Sequence, residues 1–108
     1  MPKFLFTASY TKEGISGVLR EGGSSRAKAI QALADSVNGT IETMYWALGE
    51  DDFFLIADIP DTVSAASLAA RVAASGSVSI KTTPLLSADD VDAMAAKAQG
   101  VDYRPPGA

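Results

Sequence analysis

Two short apolar segments, Phe4–Ala8 and Phe54–Asp58, resemble each other and lie about fifty residues apart in a chain of 108 residues. Their aromatic and aliphatic residues are typical of β-strands. A duplicated βαβ unit produces such a repeat, and it would make both segments central strands of one sheet, running parallel to each other. Because a chain of this length forms one domain around one core, both segments must belong to that core.

The rest of the chain supplies the other elements of a duplicated unit. Strand-like segments cover Lys3–Tyr10, Thr40–Leu48, Phe53–Ile59 and Val78–Leu86. Helical spacing of apolar residues follows Thr11, Ser24 or Ser25, and Ser87 as expected caps, and recurs around Ala65–Ala74.

This order predicts an α+β fold. We expect a ferredoxin-like βαββαβ sandwich with an antiparallel four-stranded sheet and an extra C-terminal helix. Pro84 has no backbone N–H, so the fourth strand is expected at an edge of the sheet. Residues 1–100 are expected to form the domain, and residues 101–108 an extended tail.

The second and third strands carry apolar side chains on both faces. In the third strand, Phe53, Leu55, Ala57 and Ile59 oppose Phe54 and Ile56; in the second, simple alternation puts Ile41, Thr43 and Tyr45 opposite Met44 and Trp46. One layer of helices covers one face only, and each exposed large side chain forgoes about 1.5–3 kcal/mol of burial. We therefore expect a homodimer packed sheet to sheet; the alternative is that the final helix covers the open face.

The charge and composition of the chain exclude several classes of function. A net charge of −4 argues against binding to nucleic acid, which requires a basic surface. The chain contains neither cysteine nor histidine, so we expect no disulfide, no haem or other cofactor, no tight transition-metal site and no His-containing dyad. No apolar run reaches 18 residues and charge returns soon after the N-terminus, so we expect a cytoplasmic protein without membrane attachment.

The segment Gly22–Arg26 is the first candidate ligand site. Backbone N–H groups at a helix N-terminus, the hydroxyls of Ser24 and Ser25 and the guanidinium of Arg26 together suit a carboxylate or phosphate. The alternative is a flexible linker with an N-cap, in which Arg26 pairs with a nearby acid.

Tyr10, Tyr45 and Trp46 are a second candidate group. In a cleft between sheet and helices, a tyrosine hydroxyl can donate to an anion and an indole can stack on a ring. The alternative is that these aromatic side chains only pack in the core and at an interface.

Acidic residues give weaker candidates. Asp58 falls late in a central strand and needs a partner, for which we expect Lys81 or Arg71; a general base with a raised pKa is the alternative. Asp89, Asp90 and Asp92 follow a Ser-x-x-Asp helix start, where negative charge is favoured, so we interpret them as part of a cap rather than a metal site.

A set of short motifs along nearly the whole chain resembles a known family. They are Tyr10-Thr11 followed by Gly14-Ile15, then Arg26, Asn38-Gly39, Tyr45, Gly49, Asp52, Ile59-Pro60-Asp61, Gly76 and Lys81-Thr82-Thr83. Together they resemble the GYD-domain family, small bacterial and archaeal proteins of the dimeric α/β-barrel superfamily. The family turn is Gly-x-Tyr-Asp, whereas this chain has Asp51 at the tyrosine position.

What the resemblance implies is a ferredoxin-like fold and a homodimer, because the family itself is largely of unknown function. Three functions remain open. The first is a homo-oligomeric domain without catalysis. The second is a cofactor-independent oxygenase or isomerase acting on a small aromatic or acidic molecule, by fold-level analogy with the superfamily. The third is a regulatory module that binds a small anion at Ser24, Ser25 and Arg26. Lys81 is a further candidate ligand-binding residue.

Overall fold

The computed structural model describes all 108 residues and contains eight helices and strands. In chain order these are β1 (Lys3–Tyr10), α1 (Lys12–Glu21), α2 (Gly23–Ser36), β2 (Thr40–Trp46), β3 (Phe53–Asp58), α3 (Thr62–Ala74), β4 (Val78–Leu85) and α4 (Ala88–Ala98). The strands form one antiparallel sheet in the order β2-β3-β1-β4. This is the predicted ferredoxin-like α+β fold, with the extra C-terminal helix.

The two central strands are β1 and β3, as the repeat predicts, but they run antiparallel and not parallel. The helices between β1 and β2 return the chain, so these two strands share a direction; the tight turn before β3 then reverses it. The expected edge position of Pro84 is confirmed, because β4 ends the sheet beyond β1.

Side chains cap three of the four helices. The Thr11 hydroxyl accepts a hydrogen bond from the Gly14 N–H (3.2 Å), the Asp61 carboxylate accepts one from the Ser64 N–H (2.7 Å), and Ser87 forms a capping box with Asp90. Hydrogen bonds from the backbone and side chain of Ser64 lower the pKa of Asp61, and those from Ser87 lower the pKa of Asp90.

The predicted serine cap of α2 is wrong. The helix already begins at Gly23 and its N-cap is Gly22, which makes no side-chain hydrogen bond. Gly22 also ends α1, with φ = 80°, so one glycine turns the chain directly from one helix into the next. Ser24 and Ser25 therefore lie inside the first turn of α2, exposed to solvent.

The hydrophobic core lies between one face of the sheet and the helices α2 and α3. It consists of Phe4, Phe6 and Ala8 from β1, Phe53, Leu55 and Ala57 from β3, Ile59, Ile30 from α2, and Ala65 and Leu68 from α3. Gly39 allows a close approach to this core, since a Cβ atom there would lie 2.6 Å from Cδ1 of Ile59. We call this side of the sheet the covered face.

A β-bulge corrects the expected alternation of β2. Ile41 pairs with Ala57, yet Thr43 pairs with Ile56, so Glu42 is an extra residue in the ladder. Ile41 therefore joins Met44 and Trp46 on the covered face, while Thr43 and Tyr45 lie on the other side, which we call the open face.

The open face carries an apolar centre. Leu5, Phe54, Ile56 and Tyr45 lie on adjacent strands, and Tyr45 and Phe54 are 69% and 36% exposed. The final helix does not cover them, because α4 has no buried residue and packs on neither face of the sheet. The alternative in which that helix folds back is therefore wrong. No helix of the chain is long and apolar enough to cross a membrane.

Candidate functional site

An apolar chamber of about 70 Å³ lies within the core, between the sheet and the helices α2 and α3. Eleven of its twelve lining residues are hydrophobic. They are Phe6, Ala8, Tyr10, Ile30, Leu33, Phe53, Leu55, Leu68, Val72, Val78 and Ile80, and the twelfth is Arg26. The chamber is thus an apolar space with one cation in its wall.

Arg26 reaches the chamber because of its position on α2. It lies one turn before the buried Ile30, so both side chains project from the same face of the helix. Its guanidinium lies 3.5 Å from a carboxylate oxygen of Glu21, at the long end for a charge-assisted hydrogen bond, and its side chain is 30% exposed. Arg26 is therefore held at the surface with capacity for a further anionic partner.

A polar groove of about 390 Å³ adjoins the chamber on the outside. Tyr10, Arg26, Val72 and Val78 line both spaces. The groove adds Arg20 and Arg71, together with Glu13, Glu21 and several small residues. Three of the four arginines of an acidic chain thus line one groove. These three arginines outnumber the two glutamates of the groove, so the charge balance at the entrance of the apolar chamber is positive in an otherwise acidic chain.

Tyr10 is fixed from two sides. Its backbone N–H donates to the Asp52 carboxylate (2.9 Å), and its hydroxyl oxygen accepts a hydrogen bond from Nε1–H of Trp46 (3.0 Å). The Trp46 ring packs edge-on against Phe53, with 5.1 Å between ring centroids. Since the Tyr10 oxygen is the acceptor in this bond, its own O–H proton is left to donate to a ligand.

The structure separates the seven sequence-predicted site residues into three groups. Tyr10, Arg26 and Trp46 come together at the cleft. Tyr45 does not join them, because it projects from the open face. Lys81 also lies on the open face, where it pairs with Asp51 (3.0 Å), the residue at the tyrosine position of the family turn. Ser24 and Ser25 are exposed and line neither the chamber nor the groove.

The partner expected for Asp58 is also different. Asp58 lies directly opposite Lys3 in the β1–β3 ladder and pairs with it (3.0 Å), whereas neither Lys81 nor Arg71 reaches it. Lys3 also pairs with Glu42 (3.1 Å), and hydrogen bonds to Asp58 and then Glu42 raise the pKa of Lys3. No group of three or more His, Cys, Asp or Glu side chains is arranged to hold a metal ion.

Sequence reasoning missed Arg20 and Arg71. Each stands in the last turn of its helix, α1 and α3 respectively, where a basic residue is favoured by the helix dipole alone. Nothing in the local sequence links the two positions. They line one groove because the fold brings the ends of α1 and α3 to the same side of Arg26.

The fold and the cleft define a class: a small α+β domain with a single antiparallel sheet, one helix-covered face and an apolar chamber between the two layers. The GYD domain family matches residues 4–95, and the chain belongs to this family. No curated protein matches the chain. A similar solved structure is the NE2512 protein of unknown function from Nitrosomonas europaea, at 18% identity and a TM-score of 0.46, over 81% of this chain and 91% of that one.

Proposed function

We propose that this chain is a homodimeric binding domain for a small aliphatic acid, whose apolar part enters the chamber and whose anionic group is held by Arg26. The observation that carries this proposal is the position of Arg26, the one charged side chain that lines both the apolar chamber and the polar groove. A ligand with one apolar end and one anionic end matches this junction in both chemistry and direction.

The volume of the chamber limits the size of the apolar group that a ligand can place in it. A cavity of about 150 Å³ is known to hold benzene, whereas this chamber has about 70 Å³. A short linear or branched aliphatic group is thus favoured over an aromatic ring. Each buried methylene contributes about 0.8 kcal/mol to binding, so a short acid gains measurable affinity from the chamber alone.

The polar groups at the cleft support binding more than acid–base chemistry. The residues of the chamber wall with polar side chains are Tyr10 and Arg26, whose hydroxyl and guanidinium can donate hydrogen bonds to an anion. A general base of the usual kind is a carboxylate or imidazole within hydrogen-bond reach of the substrate. The residues of the chamber wall include neither.

A titration followed by fluorescence tests the proposal. Trp46 is the only tryptophan, and it contacts Tyr10 at the cleft, so its emission reports occupancy. We expect 3-methylbutanoate to bind more tightly than both acetate and benzoate. Replacing Arg26 by Gln should weaken its binding about 10- to 150-fold, the equivalent of one charge-assisted hydrogen bond of about 1.5–3 kcal/mol.

The matched control is Arg104→Gln, which removes an arginine outside the groove. Its affinity for 3-methylbutanoate should equal that of the unmodified chain. The proposal is wrong if none of the three acids binds, or if Arg26→Gln binds 3-methylbutanoate as tightly as the control does.

The proposed partner of the open face is a second copy of this chain. Leu5, Ile56, Phe54 and Tyr45 form an apolar centre. Ion pairs flank it at either end, Lys3 with Asp58 and Glu42 on one side and Lys81 with Asp51 on the other. An apolar centre within a charged rim is the usual anatomy of a protein interface, and a two-fold axis lets one such face pair with itself.

Light scattering at micromolar concentration tests this assembly. We expect a mass of at least twice the 11.2 kDa of one chain. A monodisperse mass of 11.2 kDa would refute the dimer while leaving the binding proposal intact. The two parts of the proposed function can therefore fail separately.

A further inference from the structure

The C-terminal region of the chain is unusual in its exposure. Every residue from Leu86 to Ala108 is exposed, and α4 itself has no buried residue. The radius of gyration is 17.1 Å, against about 13 Å for a compact domain of this length. The helix therefore projects from the domain that forms the core.

An isolated helix of this length is not expected to be stable in water. The eleven residues of α4 fall short of the roughly 12–15 that even alanine-rich peptides need. The helix nevertheless presents an apolar stripe, in which Val91 and Met94 are 42% and 50% exposed and Ala95 and Ala98 lie alongside. Such a stripe is stabilised when another surface covers it.

The charges flanking this stripe have a definite pattern. Asp90, in the first turn, and Lys97, in the last, lie seven residues apart, which is nearly two full turns. They are therefore on the same flank of α4, and both line a groove of about 620 Å³ with Ala93 and Met94. The opposite wall of this groove is formed by Met1–Lys3 and Pro84–Leu86.

We propose that this groove receives α4 of a second copy of the chain, packed antiparallel with its two-fold axis near Met94. In an antiparallel pair related by a two-fold axis, the same flank of both helices meets. Asp90 of each copy then faces Lys97 of the other, and the two helix dipoles oppose. In a parallel pair the same flanks would lie on opposite sides of the seam, so Asp90 and Lys97 would not face each other.

The small side chains of α4 suit this pairing. Ala95 and Ala98 let two helix backbones approach closely, and Met94 fills irregular gaps because it is long and flexible. The apolar residues of the opposite groove wall, among them Leu85 and Leu86, extend the surface that the incoming helix would bury. The contact lies at one end of the sheet, next to the Lys3 rim of the open face, and away from the cleft that the ligand would occupy.

Cysteine cross-linking tests the proposal directly, because the chain contains no cysteine of its own. The full chain with Met94→Cys should form a disulfide-linked dimer under mild oxidation, at least tenfold faster than the chain with Ala96→Cys. Ala96 lies on the same helix but away from the apolar stripe, which makes it the matched control. Equal rates at the two positions, or no cross-link at Met94→Cys, would overturn the pairing.

Charge reversal supplies a second and independent measurement. Asp90→Lys and Lys97→Glu, each combined with Met94→Cys, should cross-link slowly alone because like charges then face each other. Mixing the two variants should restore fast cross-linking between unlike chains, since both facing pairs become attractive. This outcome does not depend on the capping role of Asp90, because the same Asp90→Lys chain is present before and after mixing.

A third cross-linking experiment tests the alternative binding surface for α4, which is the open face of a second copy. Preferential cross-linking of Met94→Cys chains to Tyr45→Cys chains would place the helix there and overturn the α4 pair. In the charge-reversal experiment, the α4 pair would also be overturned if the mixed variants cross-linked no faster than either variant alone.

Discussion

The two faces of the sheet are built by the same strands yet end in different environments. On the covered face, Phe6 of β1 and Leu55 of β3 are 2% and 4% exposed. At the neighbouring position of each strand, Thr7 of β1 and Phe54 of β3 project to the open face. Phe54 remains 36% exposed there. Strand composition is apolar on both sides, so the difference comes from the helices, which cover one face and leave the other exposed.

The two faces also differ in how their charged side chains are paired. On the open face, Lys3 and Lys81 are each matched by a carboxylate of the same chain. On the covered face, the cleft holds Arg26 with a single distant carboxylate, that of Glu21. The open face thus has ion pairs at its rim, as an interface does. The cleft instead has an arginine with one long ion pair and further N–H groups that can donate to an anionic ligand.

The largest expected contrast comes from placing a charge on each face. Phe53→Asp would bury a carboxylate in the core without a partner. The resulting loss in the free energy of unfolding should exceed the whole stability of a small domain, which is about 5–15 kcal/mol, so this variant should be unfolded. Ile56→Asp should instead stay folded, with a smaller mass in light scattering than the unmodified chain, because it charges only the open face. Circular dichroism and light scattering on both variants check this, and an unfolded Ile56→Asp chain would contradict it.

Alanine substitutions sharpen the contrast at intermediate magnitude. Phe6→Ala should cost about 3–5 kcal/mol in the free energy of unfolding, the usual cost of removing a buried phenylalanine. Phe54→Ala should cost about 1 kcal/mol in the monomer, while reducing the dependence of the unfolding midpoint on protein concentration that a dimer shows. Urea denaturation at two protein concentrations measures both effects; similar losses for the two variants would erase the distinction between the faces.

A smaller effect is expected from single hydroxyl groups. Tyr10→Phe removes the acceptor of the Trp46 N–H bond, with an expected cost of about 1 kcal/mol and a shift in tryptophan emission. Tyr45→Phe, on the open face, is the matched control and should leave the emission of Trp46 unchanged. If both variants shift the emission equally, the hydrogen bond at the cleft is not the cause.

The smallest effects are expected from pH, because the groups concerned are exposed. The pKa of Lys3 is raised above its ordinary value of 10.5, so its stabilising contribution is complete below that pH and is lost as pH rises through the folded-state value. The pKa of Asp61 is lowered from 3.8, so its contribution is present above that pH and is lost as pH falls through the folded-state value.

Two variants measured against the unmodified chain separate these effects. The stability advantage over Lys3→Met should shrink only at alkaline pH, and the advantage over Asp61→Ala only at acidic pH. Unfolding midpoints in urea across the pH range provide the measurement. An advantage that stays constant at both extremes would show that neither titration is linked to folding.

Much of the fold could be predicted from local patterns. Thr11 and Ser87 cap their helices as expected, and Pro84 lies at an edge, because these signals act over a few residues of chain. The predicted direction of β3 relative to β1 was wrong, because similar strand sequences do not show whether two strands run parallel or antiparallel. The predicted assignment of β2 side chains to the two faces was wrong as well. The extra residue at Glu42 shifts every later side chain to the other face relative to Ile41.

The candidate site was only partly predictable for the same reason. Arg26 and Tyr10 could be singled out by residue type, but their convergence with Arg20 and Arg71 depends on elements far apart in the chain. Tyr45 was grouped with Tyr10 although the pleat carries it to the opposite face. Chemical type is local, whereas proximity is set by packing.

The sequence by itself determined the succession of elements, the helix caps at Thr11 and Ser87, the apolar character of both strand faces and the absence of histidine and cysteine ligands. The tertiary structure alone decided which face the helices cover, that an arginine borders an apolar chamber, and that α4 stands apart from the core. The physical reason is that periodicity and capping depend on neighbours a few residues away, while burial and site geometry depend on which distant surfaces meet.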